Sequence, residues 1–155
     1  MSEIIFWRHA EAHDAEVDQD DLSRKLTVKG QRHAERVAFW LDRNLPQQCK
    51  VFVSEAKRAQ QTARSLPRKH KTLAEINPDA KPQDVLAAVG WGNQTEPIVI
   101  VGHQPWIGES IHWLLMGTVA PMTVRKGAVW WLQWRSQHAV DSEVIVRTVI
   151  TPDLL

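Results

Sequence analysis

Four basic side chains in this sequence have the types and the placement needed to bind a phosphate group and attack it. They are Arg8 and His9 in FWRHA, Arg58 in SEAKRAQQTA, and His103 in IVIVGHQP. Arginine presents a planar fork of donors that matches phosphate oxygens, and a neutral imidazole is a nucleophile. Brought together, these residues would form an anion pocket that contains a nucleophile.

Both histidines follow apolar runs that are typical of buried strands. The run Ile4–Trp7 ends two residues before His9, and the run Ile98–Val101 ends two residues before His103. Each run is too short for an ordinary helix. In an open α/β sheet, ligands bind outside the carboxyl ends of the strands. The chain therefore predicts that the two histidines meet at one end of a sheet.

Five stretches of the chain follow one another in the order of a known family. They are RHAEA at 8–12, LTVKG at 26–30, VSEAKRAQQTA at 53–63, the segment 75–78 and VGHQP at 101–105. In these stretches the chain resembles the histidine phosphatase superfamily, the phosphoglycerate mutase-like group, and it is most similar there to the SixA-type phosphohistidine phosphatases. Ala10 stands where the family usually has glycine, which adopts a positive φ more easily than alanine.

The resemblance implies a metal-independent phosphatase without a cofactor. In that interpretation His9 is the nucleophile that forms a covalent phosphohistidine, and Arg8, Arg58 and His103 bind the phosphoryl group. Glu75 falls where many members of the superfamily carry an acid that protonates the leaving group, so it is a candidate for that role. A phosphohistidine substrate needs this acid less, because imidazole is a better leaving group than an alkoxide.

The substrate stays open between alternatives. A short chain leaves little material for the cap insertions that larger relatives place over small metabolites, so the resemblance favours an open site that accepts a phosphohistidine on a protein. A small-metabolite phosphomonoesterase and a mutase of the same superfamily are the enzyme alternatives. From a different class, the pocket could serve a phospho-ligand binding module that does little catalysis.

Size and composition limit the other possibilities. The chain has 155 residues and a net charge of +1. That length predicts one domain over residues 1–155, which the resemblance implies is a histidine phosphatase domain, and the near-zero charge favours neither nucleic acid nor a membrane as partner. The lone Cys49 excludes an internal disulfide, and no signal peptide is recognisable, so we expect a cytoplasmic protein. A metal site of His9, His13 and His103 is disfavoured by the adjacent arginines.

The apolar periodicity predicts an α/β fold. We expect one three-layer domain with a mostly parallel central sheet, helices on both faces and an antiparallel C-terminal edge. Strands are predicted at 3–9, 51–54, 71–76, 97–102, 128–134 and 143–150, and helices from Thr27 to Leu45 and at 56–66, 82–89 and 105–116. Thr27 is the expected cap of the first helix. Arg58 falls in the first turn of the second, where exposed N–H groups favour anions.

The chain contains eight tryptophans and no tyrosine. Four of them fall in patterns expected of core: Trp7, Trp40, Trp113 and Trp130. Packing is the role expected of most tryptophans. The alternative for Trp106, which follows GHQP directly, is that it lines the substrate entrance, and the alternative for Trp131 and Trp134 is an exposed interaction surface on an edge strand. The histidines at 33, 70, 112 and 138 are interpreted as surface or packing residues.

Overall fold

Strands and helices alternate along the chain in the computed structural model, which describes residues 2–134 and 143–155. The strands are β1 (Ser2–Arg8), β2 (Lys50–Ser54), β3 (Lys71–Leu73), β4 (Ile98–Gly102), β5 (Val129–Trp134) and β6 (Val144–Ile150). The α-helices are α1 (Val28–Asn44), α2 (Lys57–Arg64), α3 (Pro82–Ala88) and α4 (Trp106–Met116). Short 3-10 helices cover Asp21–Ser23, Ala74–Ile76 and Pro152–Leu154. His138 lies outside the described residues.

One mixed sheet carries all of these strands, in the order β3-β2-β4-β1-β5-β6. The first four strands in that order are mutually parallel, and β5 and β6 add an antiparallel edge. The predicted fold class is therefore confirmed. No helix in the described part of the chain is long and apolar enough to cross a membrane.

The side chains of β1 alternate between two core layers. Ile5 and Trp7 pack with α1 and α2, while Ile4 and Phe6 pack with α3 and α4 on the other face. All four side chains are buried. This explains why β1 has an uninterrupted apolar run, since a strand covered on both faces has no polar side. The residues that follow it emerge directly from the centre of the protein.

One prediction of local structure is wrong, and one alternative is excluded. The strand expected over 71–76 ends at Leu73 and continues as the 3-10 helix Ala74–Ile76, because β3 is an edge strand that pairs through three residues only. Trp131 is not exposed: it is 1% accessible and lies against Trp40 and below Arg147. The helix α1 covers this face of β5, so the alternative of an exposed tryptophan surface does not hold at Trp131, while Trp134 is half-buried.

The loop after His9 is attached to the start of α1. Thr27 caps the helix as predicted, accepting the Gly30 N–H at 2.9 Å, and its hydroxyl donates to the Glu11 carboxylate at 2.7 Å. The Thr27 N–H also donates to the Glu11 carbonyl oxygen at 3.0 Å. A Cβ on Gly30 would overlap that carbonyl oxygen. The close approach of the two backbones therefore requires glycine at position 30.

Replacing Gly30 with alanine is expected to destabilise the protein, although alanine is the better helix former by about 1 kcal/mol. The overlap with Glu11 should outweigh that preference and lower the free energy of unfolding by about 1 to 3 kcal/mol, as overpacking usually does. Urea denaturation measures the change. Lys29→Ala, at an exposed position of the same turn, is the control and should change stability little. A Gly30→Ala variant as stable as the parent would contradict the packing described here.

Candidate active site

His9 and His103 lie side by side at the carboxyl ends of β1 and β4. The parallel register pairs Arg8 with Gly102, and the His9 N–H continues the ladder by donating to the Gly102 carbonyl oxygen at 3.0 Å. The centroids of the two imidazole rings are 5.2 Å apart. Both side chains are buried, His9 at 6% and His103 at 1% exposure. The juxtaposition expected from the order of the chain is therefore present.

Arg8, which is half-buried, and Arg58, which is buried, add two guanidinium groups to the histidines. Nη1 of Arg8 donates to the Val124 carbonyl oxygen at 2.7 Å, and the terminal nitrogens of Arg58 are bound by Asp21. Burial lowers the pKa of both arginines, and the charge of Arg58 lowers that of Arg8 further. Positive charge concentrated in this way favours the binding of an anion.

Three buried nitrogens around the pair of rings have no hydrogen-bond partner within the described part of the protein. They are Nε of Arg8, Nε of Arg58 and Nδ1 of His103. A buried donor without an acceptor costs about 1 to 3 kcal/mol. The two arginine Nε atoms are donors, and Nδ1 of His103 becomes one when it carries a proton. A tetrahedral anion has enough oxygens to accept from all three.

A backbone contact determines which nitrogen of His9 can attack. Nδ1 lies 2.8 Å from the Ala10 carbonyl oxygen, which can only accept a hydrogen bond. Nδ1 must therefore carry the proton, and in the neutral ring Nε2 keeps its lone pair. Sequence reasoning could not find this partner, because a main-chain carbonyl is present at every position and no residue type signals it.

Ala10 fits the position that glycine usually occupies in the family. Among the described residues Asp18 is the only non-glycine with a positive φ, so the backbone of Ala10 is in a region that alanine adopts freely. The Ala10 N–H donates to Thr62 Oγ1 at 3.0 Å, and that hydroxyl donates to the Arg58 carbonyl oxygen at 2.8 Å. The residue after His9 is thus bound to the helix that carries Arg58.

The ring of His103 is held by a hydrogen bond to Ser54. Its Nε2 lies 2.7 Å from Ser54 Oγ, which is also 3.1 Å from Asn77 Oδ1. The Glu55 N–H donates to the same Oδ1 at 2.9 Å, and this contact identifies Oδ1 as the acceptor atom of the amide. The Ser54 hydroxyl can give its proton either to Asn77 or to His103. In both cases His103 is held through Nε2, so its Nδ1 remains for a ligand. Sequence analysis gave neither Ser54 nor Asn77 a role at the site.

Both histidines are neutral at physiological pH in the free protein. Burial, together with the charges of Arg58 and Arg8, lowers the pKa of His9 to about 3. Burial, with His9 and the same arginines, lowers the pKa of His103 to about 2. His9 is therefore in its nucleophilic form, and a bound anion would raise the proton affinity of His103.

Two further residues singled out in the sequence make no hydrogen bond to the four basic side chains in the described part of the chain. Trp106 does not line an entrance: it is fully buried, its indole N–H donates to the Asn77 carbonyl oxygen at 3.2 Å, and its ring packs edge-on to His103. Gly102 leaves room for this ring, which a Cβ would overlap. Glu75 is exposed in the 3-10 helix Ala74–Ile76, and no hydrogen bond or ion pair among the described residues joins it to the four basic side chains.

A family model identifies the class of protein. Residues 4–87, more than half of the chain, match the histidine phosphatase superfamily (branch 1). The chain belongs to this superfamily, and it is an enzyme of the phosphatase class. The matched residues include Arg8, His9 and Arg58, whereas His103 lies beyond them. No protein of curated function matches the sequence.

Solved structures share the fold over almost the whole chain. The candidate phosphohistidine phosphatase SixA of Nakamurella multipartitia is 21% identical, with a TM-score of 0.78 over 97% of this chain and 95% of its own. The protein histidine phosphatase SixA in complex with tungstate is 21% identical, with a TM-score of 0.75 and 98% of both chains covered. A phosphoserine phosphatase mutant from Entamoeba histolytica, bound to phosphoserine, is 15% identical, with a TM-score of 0.75 and 100% of both chains covered.

The lowered pKa values predict that the anion-free protein loses stability in acid. Both histidines are neutral when folded, whereas in the unfolded chain they take up protons below their ordinary pKa of 6.5. Their contribution is thus fully present above that pH and is lost as the pH falls towards 3. As the pH falls through that range, each histidine should lower the free energy of unfolding by up to about 1.4 kcal/mol per pH unit.

Urea denaturation at pH 7 and about pH 5, without phosphate, measures this loss. Carboxylates also respond to acid, so the comparison is between the parent and His9→Ala, which should lose stability less steeply. Equal slopes in the two proteins would show that His9 is not held neutral by the fold.

Proposed function

We propose that this protein hydrolyses phosphoryl groups through a covalent phosphohistidine on His9, and that its substrate is a phosphohistidine on another protein. The observation that carries the proposal is a set of three buried nitrogens, on Arg8, Arg58 and His103, that have no hydrogen-bond partner in the described chain. The free Nε2 of His9 lies in the ring beside His103. The lone Cys49 suits a reducing compartment, and we place the reaction in the cytoplasm.

In the first step Nε2 of His9 attacks phosphorus in line with the leaving group. The N–P bond to His9 forms as the bond from phosphorus to the leaving nitrogen or oxygen breaks. A leaving imidazole takes its proton from water, and a leaving alkoxide takes it from a general acid. Negative charge on the three equatorial oxygens is stabilised by Arg8, Arg58 and His103, because fixed cations and donors in a buried pocket need no reorganisation. In the second step water attacks phosphorus, which releases phosphate and restores His9.

The choice of a phosphohistidine substrate depends on the leaving group. Imidazole leaves readily, whereas an alkoxide needs an acid within hydrogen-bond reach. Asp21 is the one carboxylate that makes a hydrogen bond or ion pair with the four basic residues in the described part of the chain, and it is ionised there on Arg58. The resemblance to the SixA structures supports the same substrate class. The similarity to a phosphoserine phosphatase supports the alternative, a small-metabolite phosphomonoesterase.

His9→Ala should abolish hydrolysis of both a phosphohistidine-bearing protein and p-nitrophenyl phosphate, because it removes the nucleophile. We expect a loss on the order of 1,000-fold or more in kcat, while some phosphate binding by the arginines persists. The assays contain EDTA, since the proposed mechanism uses no metal ion. His13→Ala is the matched control, because His13 is exposed in the adjacent loop.

Each other outcome of these assays has a definite meaning. Turnover retained by His9→Ala would refute the covalent mechanism, and activity abolished by EDTA would refute its independence of metal. If folded wild-type protein binds phosphate but cleaves neither compound, the binding module or a narrow metabolite enzyme is the better explanation.

We retain Glu75 as the candidate acid for substrates with an alkoxide leaving group. Glu75→Gln should then lower kcat for phosphoserine about 100-fold, in the usual range for a general acid, and leave phosphohistidine hydrolysis unchanged. Asp79→Asn, a second exposed carboxylate just beyond the same 3-10 helix, is the control. Steady-state phosphate release measures both reactions. Equal activity of Glu75→Gln and wild type on phosphoserine would remove Glu75 from the mechanism.

A further inference from the structure

One residue, Asp21, binds both terminal nitrogens of Arg58. Nη1 donates to the Asp21 carbonyl oxygen at 2.7 Å, and Nη2 donates to its carboxylate at 3.0 Å. The Arg58 side chain is 3% exposed and that of Asp21 is 53% exposed. We infer that Asp21 is a positioning residue, which orients Arg58 so that its Nε edge faces the phosphoryl group. The inference rests on the phosphate-binding role proposed for Arg58.

The geometry of a guanidinium group explains how this contact aims the arginine. The group is planar, so two fixed nitrogens fix the direction of the third. Asp21 takes the outer edge, between Nη1 and Nη2, and leaves Nε as a buried donor without a partner in the described chain. An arginine held in this way loses little side-chain entropy when an oxyanion binds to its other edge.

Asp21 is itself held in place. Its second carboxylate oxygen accepts from Nε of Arg24 at 3.0 Å, and Nη1 of Arg24 donates to the His13 carbonyl oxygen at 2.9 Å. Asp20 accepts the Leu22 N–H and so caps the 3-10 helix in which Asp21 lies. The carboxylate is thus braced between two arginines and is part of an ordered turn.

The same contacts exclude Asp21 as the acid of the reaction. Partial burial favours its neutral form, but hydrogen bonds from Arg58 and Arg24 outweigh that effect and lower its pKa. A carboxyl group that is ionised near neutral pH has no proton to give to a leaving group. Asp21 therefore acts through Arg58.

A competing explanation is that the Asp21 carboxylate repels oxyanions or competes with them for Arg58. The two explanations predict opposite changes in oxyanion affinity when Asp21 is removed. If Asp21 positions Arg58, its removal weakens oxyanion binding; if it competes, its removal strengthens binding. The position of the contacts favours the first explanation, because Asp21 occupies the outer edge and one of its two acceptors is a backbone carbonyl.

The test measures tungstate affinity by isothermal titration calorimetry, which needs no turnover. Asp21→Ala should weaken binding on the order of 10-fold, the scale of one charge-assisted hydrogen bond. Asp20→Asn is the matched control: it removes a neighbouring charge, keeps an oxygen that can cap the 3-10 helix, and should bind tungstate like wild type. If Asp21→Ala does not fold, Asp21→Asn takes its place.

A double-mutant cycle separates positioning from a general structural effect. In an Arg58→Ala background, Asp21→Ala should cause no further loss of tungstate affinity, because the residue through which it acts is gone. Unchanged or tighter binding by Asp21→Ala alone, or an equal loss in the Arg58→Ala background, would overturn the inference.

Failure of the proposed function would look different. Wild-type protein that binds tungstate, loses affinity on Asp21→Ala and cleaves no phosphorylated substrate would leave the positioning role intact and refute the phosphatase mechanism. Normal turnover with no effect of Asp21→Ala on tungstate affinity or on KM would refute the positioning role and leave the mechanism intact.

Discussion

The site depends on the parallel pairing of β1 with β4. This pairing brings together two segments that are more than ninety residues apart in the sequence, and its register places His9 beside Gly102 and hence beside His103. A slip of one residue would turn every side chain of β1 to the opposite face, which the two core layers forbid because both are apolar and close-packed. The burial of Ile4, Ile5, Phe6 and Trp7 therefore sets the position of His9.

Around this pair the protein must hold one half-buried and one buried arginine whose charges repel. Oxygen acceptors bind their terminal nitrogens: Nη1 of Arg8 donates to the Val124 carbonyl, and both terminal nitrogens of Arg58 donate to Asp21. The Nε atoms of both arginines have no partner in the described chain, so donors for an anion are already in place in the free protein. The free energy that the core supplies on folding offsets the cost of these unpaired donors.

The same positive charge and burial prepare His9 as a nucleophile. A histidine in water is partly protonated near pH 7, whereas here burial and the arginines keep the ring neutral. The Ala10 carbonyl then selects the tautomer and aims Nε2. Electrostatics and one backbone hydrogen bond thus set the protonation state and the tautomer of His9, and the Asp21 carboxylate binds Arg58.

The sequence by itself determined the fold class and nearly all the elements, and it predicted that four basic residues come together, because apolar periodicity and strand-end positions are local signals. It left open the burial of Trp131 and Trp106, which depends on which helix covers each strand and on the space left by Gly102. It also could not find the partners of the site: the Ala10 carbonyl, Ser54, Asn77 and Asp21. These contacts join residues from separate turns, and several use main-chain atoms, so only the tertiary structure decided them.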